Sequence, residues 1–323
     1  MRYYTINITN PTTGATVKQW SSMVNGYTDP GAHQIEFEIF AAPFSQPVGD
    51  LASTLKIRGP ALQDLYSSSF LGMNLDLYAG MSKGLPLANP TQQGALIKDG
   101  TIWQSYGNWI GTDMTLDFVV LALGNSNAKP ANLVFDWTAG TPLAYAISAS
   151  LTTAYPNLKQ SITISPNIVL AHDEKGVYET LSQFARYLEG ITVGLFGTNY
   201  IGVQIVLQQD RFVVYDNSGQ SNPIQIAFTD LVGQPTWVSS NIVQITTVMR
   251  GDIQAGNYVQ LPKGILGQPG FVVTVPQSQS QARSQSGFQG PLYVQQIRHI
   301  GSFRDPAGTS WVSVFNCAIT NPL

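Results

Sequence analysis

Charged residues are scarce in this sequence. They make up 11% of its 323 residues, whereas apolar residues make up 43%, and an average globular domain has roughly 25% charged residues. Gln, Asn, Ser and Thr take the polar positions instead. Uncharged polar surface costs less to desolvate than ionised surface, and protein interfaces are depleted in Lys, Glu and Asp. The composition therefore predicts a surface that largely contacts other protein, although Gly-rich β proteins without that role have a similar composition.

Cysteine and histidine are almost absent. The single Cys317 excludes an intrachain disulfide, so folding needs no oxidising compartment and we expect synthesis in the cytoplasm. The three histidines, His33, His172 and His299, are more than a hundred residues apart. None belongs to a His/Cys/carboxylate cluster with the spacing of metal ligands. The sequence therefore predicts neither a metal site nor a cofactor.

Long apolar runs and strong net charge are also missing. No segment approaches the ~18–20 consecutive apolar residues of a membrane helix, and residues 1–8 alternate as a strand does, unlike a signal peptide. The net charge is −3, and residues 231–323 carry five basic and two acidic side chains. This small excess of basic side chains is too weak to neutralise the phosphates of a nucleic acid. We expect no membrane contact and no specific nucleic-acid binding.

The patterning divides the chain into three parts. Residues 1–127 and 231–323 consist of short alternating segments separated by Gly and Pro, which is typical of a sandwich or barrel. Residues 131–230 contain two helical patterns between strands, and the turn-forming segment 124–131 is a candidate linker. The fold class predicted is mainly β (α+β), with two antiparallel β domains and a small α/β middle segment.

Two helices and one loop are predicted in detail. Thr141 and Pro142 are typical of a helix start, and the apolar spacing continues to Ala154. The second helical pattern covers Val177 to Leu188. The Gln/Ser-rich segment 277–289 is predicted to be a mobile loop, which serves either as a hairpin connection or as a segment ordered by a neighbouring subunit. The candidate interface residues in this loop are Gln277, Gln281, Arg283, Gln285 and Gln289.

A search for catalytic chemistry finds little. There is no G-x-S-x-G nucleophile motif and no phosphate-binding glycine pattern. Asp173 and Glu174 could serve a hydrolase, but acids just before a predicted helix are also favoured by the helix dipole. The six tryptophans could bind glycans, and aromatic residues are equally expected in cores and interfaces. We predict no enzyme; a cell-wall or polysaccharide hydrolase and a glycan-binding receptor module are the alternatives.

Several motifs, taken in order, resemble the central hub proteins of contractile phage tails. The middle helix of such hubs fits the segment Glu179 to Ala185. The N-terminal part of the resemblance rests on Gly80-Met81-Ser82, Gly84 to Pro90, Gly94, Gly100-Thr101-Ile102 and Gly107 to Thr112. The C-terminal part rests on Gly233-Gln234-Pro235, Arg250 to Ile253, Gly256, Tyr293 to His299 and Trp311 to Val314. Each motif is loose by itself, and their order over most of the chain carries the resemblance.

The resemblance implies a structural virion protein of the tail baseplate. It implies two barrels similar to a tail-tube subunit, and a homotrimer whose six barrels join a hexameric tail tube, or a tube initiator, to a trimeric central spike. Contacts with tape-measure and baseplate wedge proteins are implied as well. By analogy of position, the residues expected at the interface or the lumen are Ile35, Glu36, Phe37, Glu38, Ile39, Thr115, Asp117, Val119, Arg298 and His299.

Overall fold

The structure is a computed structural model that describes most of the chain. The described residues are 1–46, 52–66, 69–81, 94–121, 132–156, 158–197, 200–218, 222–239, 242–262 and 290–319. The predicted interface loop at 277–289, the linker at 124–131 and the motif at 84–90 lie outside these ranges.

The described residues of the N-terminal part form nine strands. They are β1 (Arg2–Thr9), β2 (Thr16–Ser21), β3 (Met23–Val24), β4 (Tyr27–Thr28), β5 (Gln34–Ala41), β6 (Ser53–Arg58), β7 (Asn74–Met81), β8 (Gly94–Ile110) and β9 (Asp113–Leu121). Along β5 every second residue is buried, so Ile35, Phe37 and Ile39 point into a core together with Leu55 and Ile57 of β6. The alternation seen in the sequence thus becomes a one-sided sheet.

Where the structure describes it, the middle part combines five strands with two helices. They are β10 (Leu133–Trp137), α1 (Leu143–Ala154), β11 (Lys159–Thr163), β12 (Glu174–Tyr178), α2 (Leu181–Thr192), β13 (Gln204–Gln208) and β14 (Arg211–Tyr215). Strand β11 pairs in parallel with β14, whose other neighbour β13 is antiparallel. The prediction of a small α/β segment here is confirmed.

The second helix was predicted over Val177 to Leu188, but the structure has it over Leu181–Thr192. The second helix begins at Leu181, not at Val177, because Val177 belongs to β12 and pairs with Val134 of β10. The Thr180 hydroxyl accepts a hydrogen bond from the Gln183 backbone N–H, and the Gln183 side chain accepts one from Glu179 N–H. This reciprocal cap starts the helix. Consequently Asp173 lies just before strand β12 and Glu174 begins that strand, so the helix-dipole argument for them does not hold.

Six strands lie in the described residues of the C-terminal part. They are β15 (Ile224–Gln225), β16 (Thr236–Ser239), β17 (Ile242–Val248), β18 (Tyr258–Gln260), β19 (Leu292–Ser302) and β20 (Trp311–Ile319). Their inner residues, including Val243, Ile245 and Phe315, form a core that also contains the buried Cys317. The chain is therefore mainly β with large antiparallel sheets, as predicted.

A single large sheet connects the two ends of the chain. Its strand order is β16-β17-β20-β19-β5-β6-β9-β8-β7-β1-β2, and β18 and β15 branch from β19. Strand β5 joins the N-terminal and C-terminal strands by pairing Glu36–Ala41 antiparallel with Ser302–Ile297 of β19. Gly301 makes this junction possible, because a Cβ atom there would lie 2.2 Å from Cε1 of Phe37.

Candidate functional site

The residues expected at an interface lie on both sides of this sheet. Six of them lie on its outer face, which we call the polar sheet face: Glu36, Glu38, Thr115, Asp117, Val119 and Arg298. Ile35, Phe37, Ile39 and His299 point the other way and are at most 4% exposed. Because these four side chains pack inside their own chain, only the first six are available to a lumen or another subunit.

The charges on the polar sheet face are paired across neighbouring strands. Lys56 Nζ lies 3.2 Å from Asp117 Oδ1, and Arg58 Nε donates to Glu36 Oε1 at 2.8 Å. The Arg298 guanidinium pairs with Glu38 and lies over the ring of Phe40. Three acids therefore meet three bases, and this face presents little net charge. Lys56 and Arg58 were not singled out in the sequence, because only the strand register places them opposite those acids.

A buried polar cluster lies behind the C-terminal strands. Arg250 is fully buried, donates to both carboxylate oxygens of Asp252 at 2.7 and 2.6 Å, and donates to Asp230 at 2.8 Å. Burial alone would lower the pKa of Arg250, but the hydrogen bonds and charges of Asp252 and Asp230 raise it. The side chain is therefore held charged, and the Arg-Gly-Asp motif serves internal packing.

His299 belongs to the same buried region. Its Nδ1 lies 2.8 Å from Ser313 Oγ, which in turn accepts the Arg250 backbone N–H at 2.9 Å. Burial lowers the pKa of His299 to about 4, so the ring is neutral at physiological pH. The neutral, enclosed imidazole contacts Ser313 of the neighbouring strand β20, so its observed contacts are those of internal packing.

A carboxyl pair lies on the N-terminal strands. Asp76 of β7 is directly opposite Asp99 of β8, and their carboxyl groups share a hydrogen bond. Burial and the neighbouring Asp76 raise the pKa of Asp99 to about 6. Next to it, burial lowers the pKa of Lys98 to about 8, and Lys98 forms a parallel bridge with Gln209 of the middle part. This pairing could not be predicted from local sequence patterns, because it depends on the β7–β8 register.

The acids considered for hydrolysis are already engaged. The Asp173 carboxylate accepts the Ala139 backbone N–H at 2.8 Å, and Glu174 accepts the Tyr187 hydroxyl at 2.9 Å. These contacts hold the β12 region against its neighbours. Within the described residues, no group of three or more His, Cys, Asp or Glu side chains could bind a metal ion.

Exposed aromatic residues gather on the β8–β9 hairpin. Trp109 is 64% exposed and Ile110 78%, and Trp103 and Tyr106 are exposed beside them. Trp20, Trp137 and Trp311, in contrast, are core residues. The first half of β8 pairs with β7. The second half pairs with β9 along one of its two edges. The other edge of Trp103 to Ile110 has no strand partner among the described residues.

Helices in the described part of the chain are too short or too polar to cross a membrane. Comparison by sequence returns no matching family model and no matching curated protein.

Comparison by structure relates the fold to tail proteins. A tail protein from Neisseria meningitidis superposes with a TM-score of 0.51 at 11% identity, over 98% of this chain and 96% of the other. A prophage tail protein from Shewanella oneidensis gives 0.50 at 8% identity, over 98% of each chain. An E. coli component of the type VI secretion system, described as structurally similar to T4 bacteriophage tail proteins gp27 and gp5, gives 0.50 at 8% over 93% and 76%. The chain has the fold of tail and baseplate hub-like proteins.

Proposed function

We propose that this protein is a structural subunit of a phage-tail baseplate, a homotrimeric hub that joins a hexameric tail tube to a trimeric central spike. One observation carries the proposal: the large sheet contains two four-strand units with the same connectivity. The N-terminal unit has the order β5-β6-β9-β8 and the C-terminal unit the order β16-β17-β20-β19. In each unit the first two strands are neighbours in chain order. The other two strands form a hairpin and lie in the sheet in the reverse of their chain order.

The repeat has a consequence for symmetry. A chain with two similar units gives a trimer six similar units, so a ring with threefold symmetry can match a sixfold partner on one face and a threefold partner on the other. The tube protein or its initiator, and the spike, are the partners that this arrangement fits. Tape-measure and wedge proteins are further proposed neighbours in the virion baseplate.

The polar sheet face supports a role as the lumen wall. Its acids, Glu36, Glu38 and Asp117, are neutralised by paired bases, and Thr115 and Val119 add uncharged surface. A wall with balanced charge neither holds nor repels a passing polyanion strongly. The tail proteins and the secretion-system component that share this fold support the broader proposal of a structural role in a tail.

The test is the mass and shape of the purified protein. Light scattering should give three times the chain mass, and negative-stain images should show a threefold ring with a central hole. A monodisperse monomer at micromolar concentration, unchanged by addition of the spike protein, would contradict the proposal. Detection of the chain at the tube–spike junction of intact particles by immunogold labelling would locate it independently.

A further inference from the structure

A polar pocket lies where the three parts of the chain meet. Its volume is about 260 Å³, which leaves room for several water molecules. The segment after β5, the helix α2, the β13–β14 region and strand β19 all contribute to its wall. Its polar lining residues are Gln46, Glu189, Gln204, Tyr215 and Gln295.

Among the described residues that line the pocket, only Glu189 is charged. Its Oε1 accepts a hydrogen bond from Gln204 Nε2 at 3.0 Å, and Gln204 is only 4% exposed. The Gln204 amide is fixed in turn, because its Oε1 accepts the Ser45 hydroxyl at 2.9 Å. A neutral donor thus orients the carboxylate in the wall of the pocket and does not cancel its negative charge.

The other glutamates of the chain have different surroundings. Glu36, Glu38 and Glu174 each have an Arg or His side chain within ion-pair distance. Glu179 is exposed to solvent. Glu189 is half-buried and forms no ion pair with any residue that the structure describes. It is therefore the glutamate for which a cation from outside the chain would be the natural partner.

The place of Glu189 in its helix strengthens the negative potential. Glu189 lies in the last turn of α2, which ends at Thr192 and has no basic residue in that turn. The carbonyl end of a helix carries a partial negative charge, so cations are favoured there and carboxylates are not. The pocket therefore combines a carboxylate with the negative end of a helix, next to side-chain amides that can form further hydrogen bonds.

We infer that this pocket binds one organic cation through its ammonium or guanidinium group, with Glu189 as the counter-ion. Hydrogen bonds between such N–H groups and a carboxylate are stronger than neutral ones. Gln295 is a neutral partner for the cation. It is the extra residue of a bulge in β19, and bulges commonly re-aim a side chain at a site. The source is either a small free cation or a basic side chain of another protein, and neither depends on the proposed hub.

Saturation-transfer NMR on the full chain tests the site. The probes are methylguanidinium and N-methylurea, which has nearly the same shape and no charge. Methylguanidinium should bind roughly tenfold more tightly, because only the cation forms a charge-assisted bond with Glu189. Glu189→Gln should remove this difference and keep the fold, since the new side chain still offers an oxygen to Gln204. Glu179→Gln is the matched control, because it removes the same charge at an exposed position.

A tethered cation provides the second measurement. Gln295→Lys places an ammonium group in the pocket, where it should pair with Glu189 and abolish the binding of methylguanidinium. The substitution should raise the unfolding temperature by about 1–2 °C more in the wild-type background than in the Glu189→Gln background. Equal effects in the two backgrounds would mean that the carboxylate does not receive the cation.

A third probe, N-acetylarginine amide, identifies the source, because it carries the guanidinium on a peptide backbone. Binding of this probe and of methylguanidinium supports the site and favours a basic side chain of another protein. Binding of methylguanidinium alone supports the site and favours a small free cation. The proposal is overturned if neither cation binds, if N-methylurea binds equally well, or if Glu189→Gln and Glu179→Gln weaken binding to the same extent.

Discussion

His299 should make this protein less stable in acid. The ring is enclosed, and burial lowers its pKa to about 4 from an ordinary value of 6.5. Between these two values the unfolded chain binds a proton that the folded chain does not bind. The stability that the neutral ring contributes is therefore fully present above pH 6.5 and is lost as the pH falls toward 4. We predict that His299→Gln removes this dependence.

The size of this loss of stability follows from how far the pKa of His299 is lowered. Each pKa unit corresponds to about 1.4 kcal/mol, so the wild-type protein should lose up to about 3 kcal/mol through this group between pH 6.5 and 4. Asp99 acts in the opposite direction, because its pKa is raised to about 6 and its proton stabilises the folded state at the acid end. That contribution is present in both proteins, so it cancels in their difference.

The assay is urea unfolding of both proteins at half-unit pH steps from 4 to 7, at one fixed protein concentration because assembly adds to apparent stability. The free-energy difference between wild type and His299→Gln should shrink steadily as the pH falls. His172→Gln is the control, since that side chain is 70% exposed. Parallel stability curves for wild type and His299→Gln would refute the assignment of a neutral buried ring.

Two further substitutions test the packing. Arg250→Ala should lower the free energy of unfolding by about 3–5 kcal/mol, because it removes the cation that pairs with the buried Asp230 and the half-buried Asp252. The control is Arg211→Ala at a half-exposed ion pair, which should lower the free energy of unfolding by less than about 1 kcal/mol. Equal losses for the two variants in urea titrations would contradict the buried triad. Gly301→Ala should destabilise the β5–β19 junction by about 1–3 kcal/mol through its clash with Phe37. Phe37→Leu in the same chain should recover part of that loss in thermal unfolding, and no recovery would mean that the ring is not the obstacle.

Much of the secondary structure could be predicted from local signals. The alternation of Ile35, Phe37 and Ile39 identified β5, because a strand half-buried on one face repeats every two residues. The first helix was predicted from Pro142 to Ala154 and observed from Leu143 to Ala154. The second helix was placed too early, because the apolar residue Val177 fits a helical period while lying in a strand. The Thr180–Gln183 capping pair was present in the sequence and was the better signal.

The candidate site could be predicted only in part. Alternation placed Glu36 and Glu38 on the face opposite the core, but their partners Arg58 and Arg298 are distant in sequence. The Asp76–Asp99 pair and the Arg250 cluster were missed for the same reason. Such contacts depend on strand register and strand order, which local propensity does not encode. The expected loop residues at 277–289 lie outside the described residues and stay a prediction.

The sequence by itself determined that this is a mainly β chain with a small α/β middle and few charges to desolvate. Those properties follow from periodicity, turn residues and composition, which act over a few residues. Tertiary structure alone decided that β5 joins β19, and that the N-terminal and C-terminal strands form one sheet. Both depend on pairing between strands hundreds of residues apart, and the backbone hydrogen bonds that form such pairs are the same for every side chain.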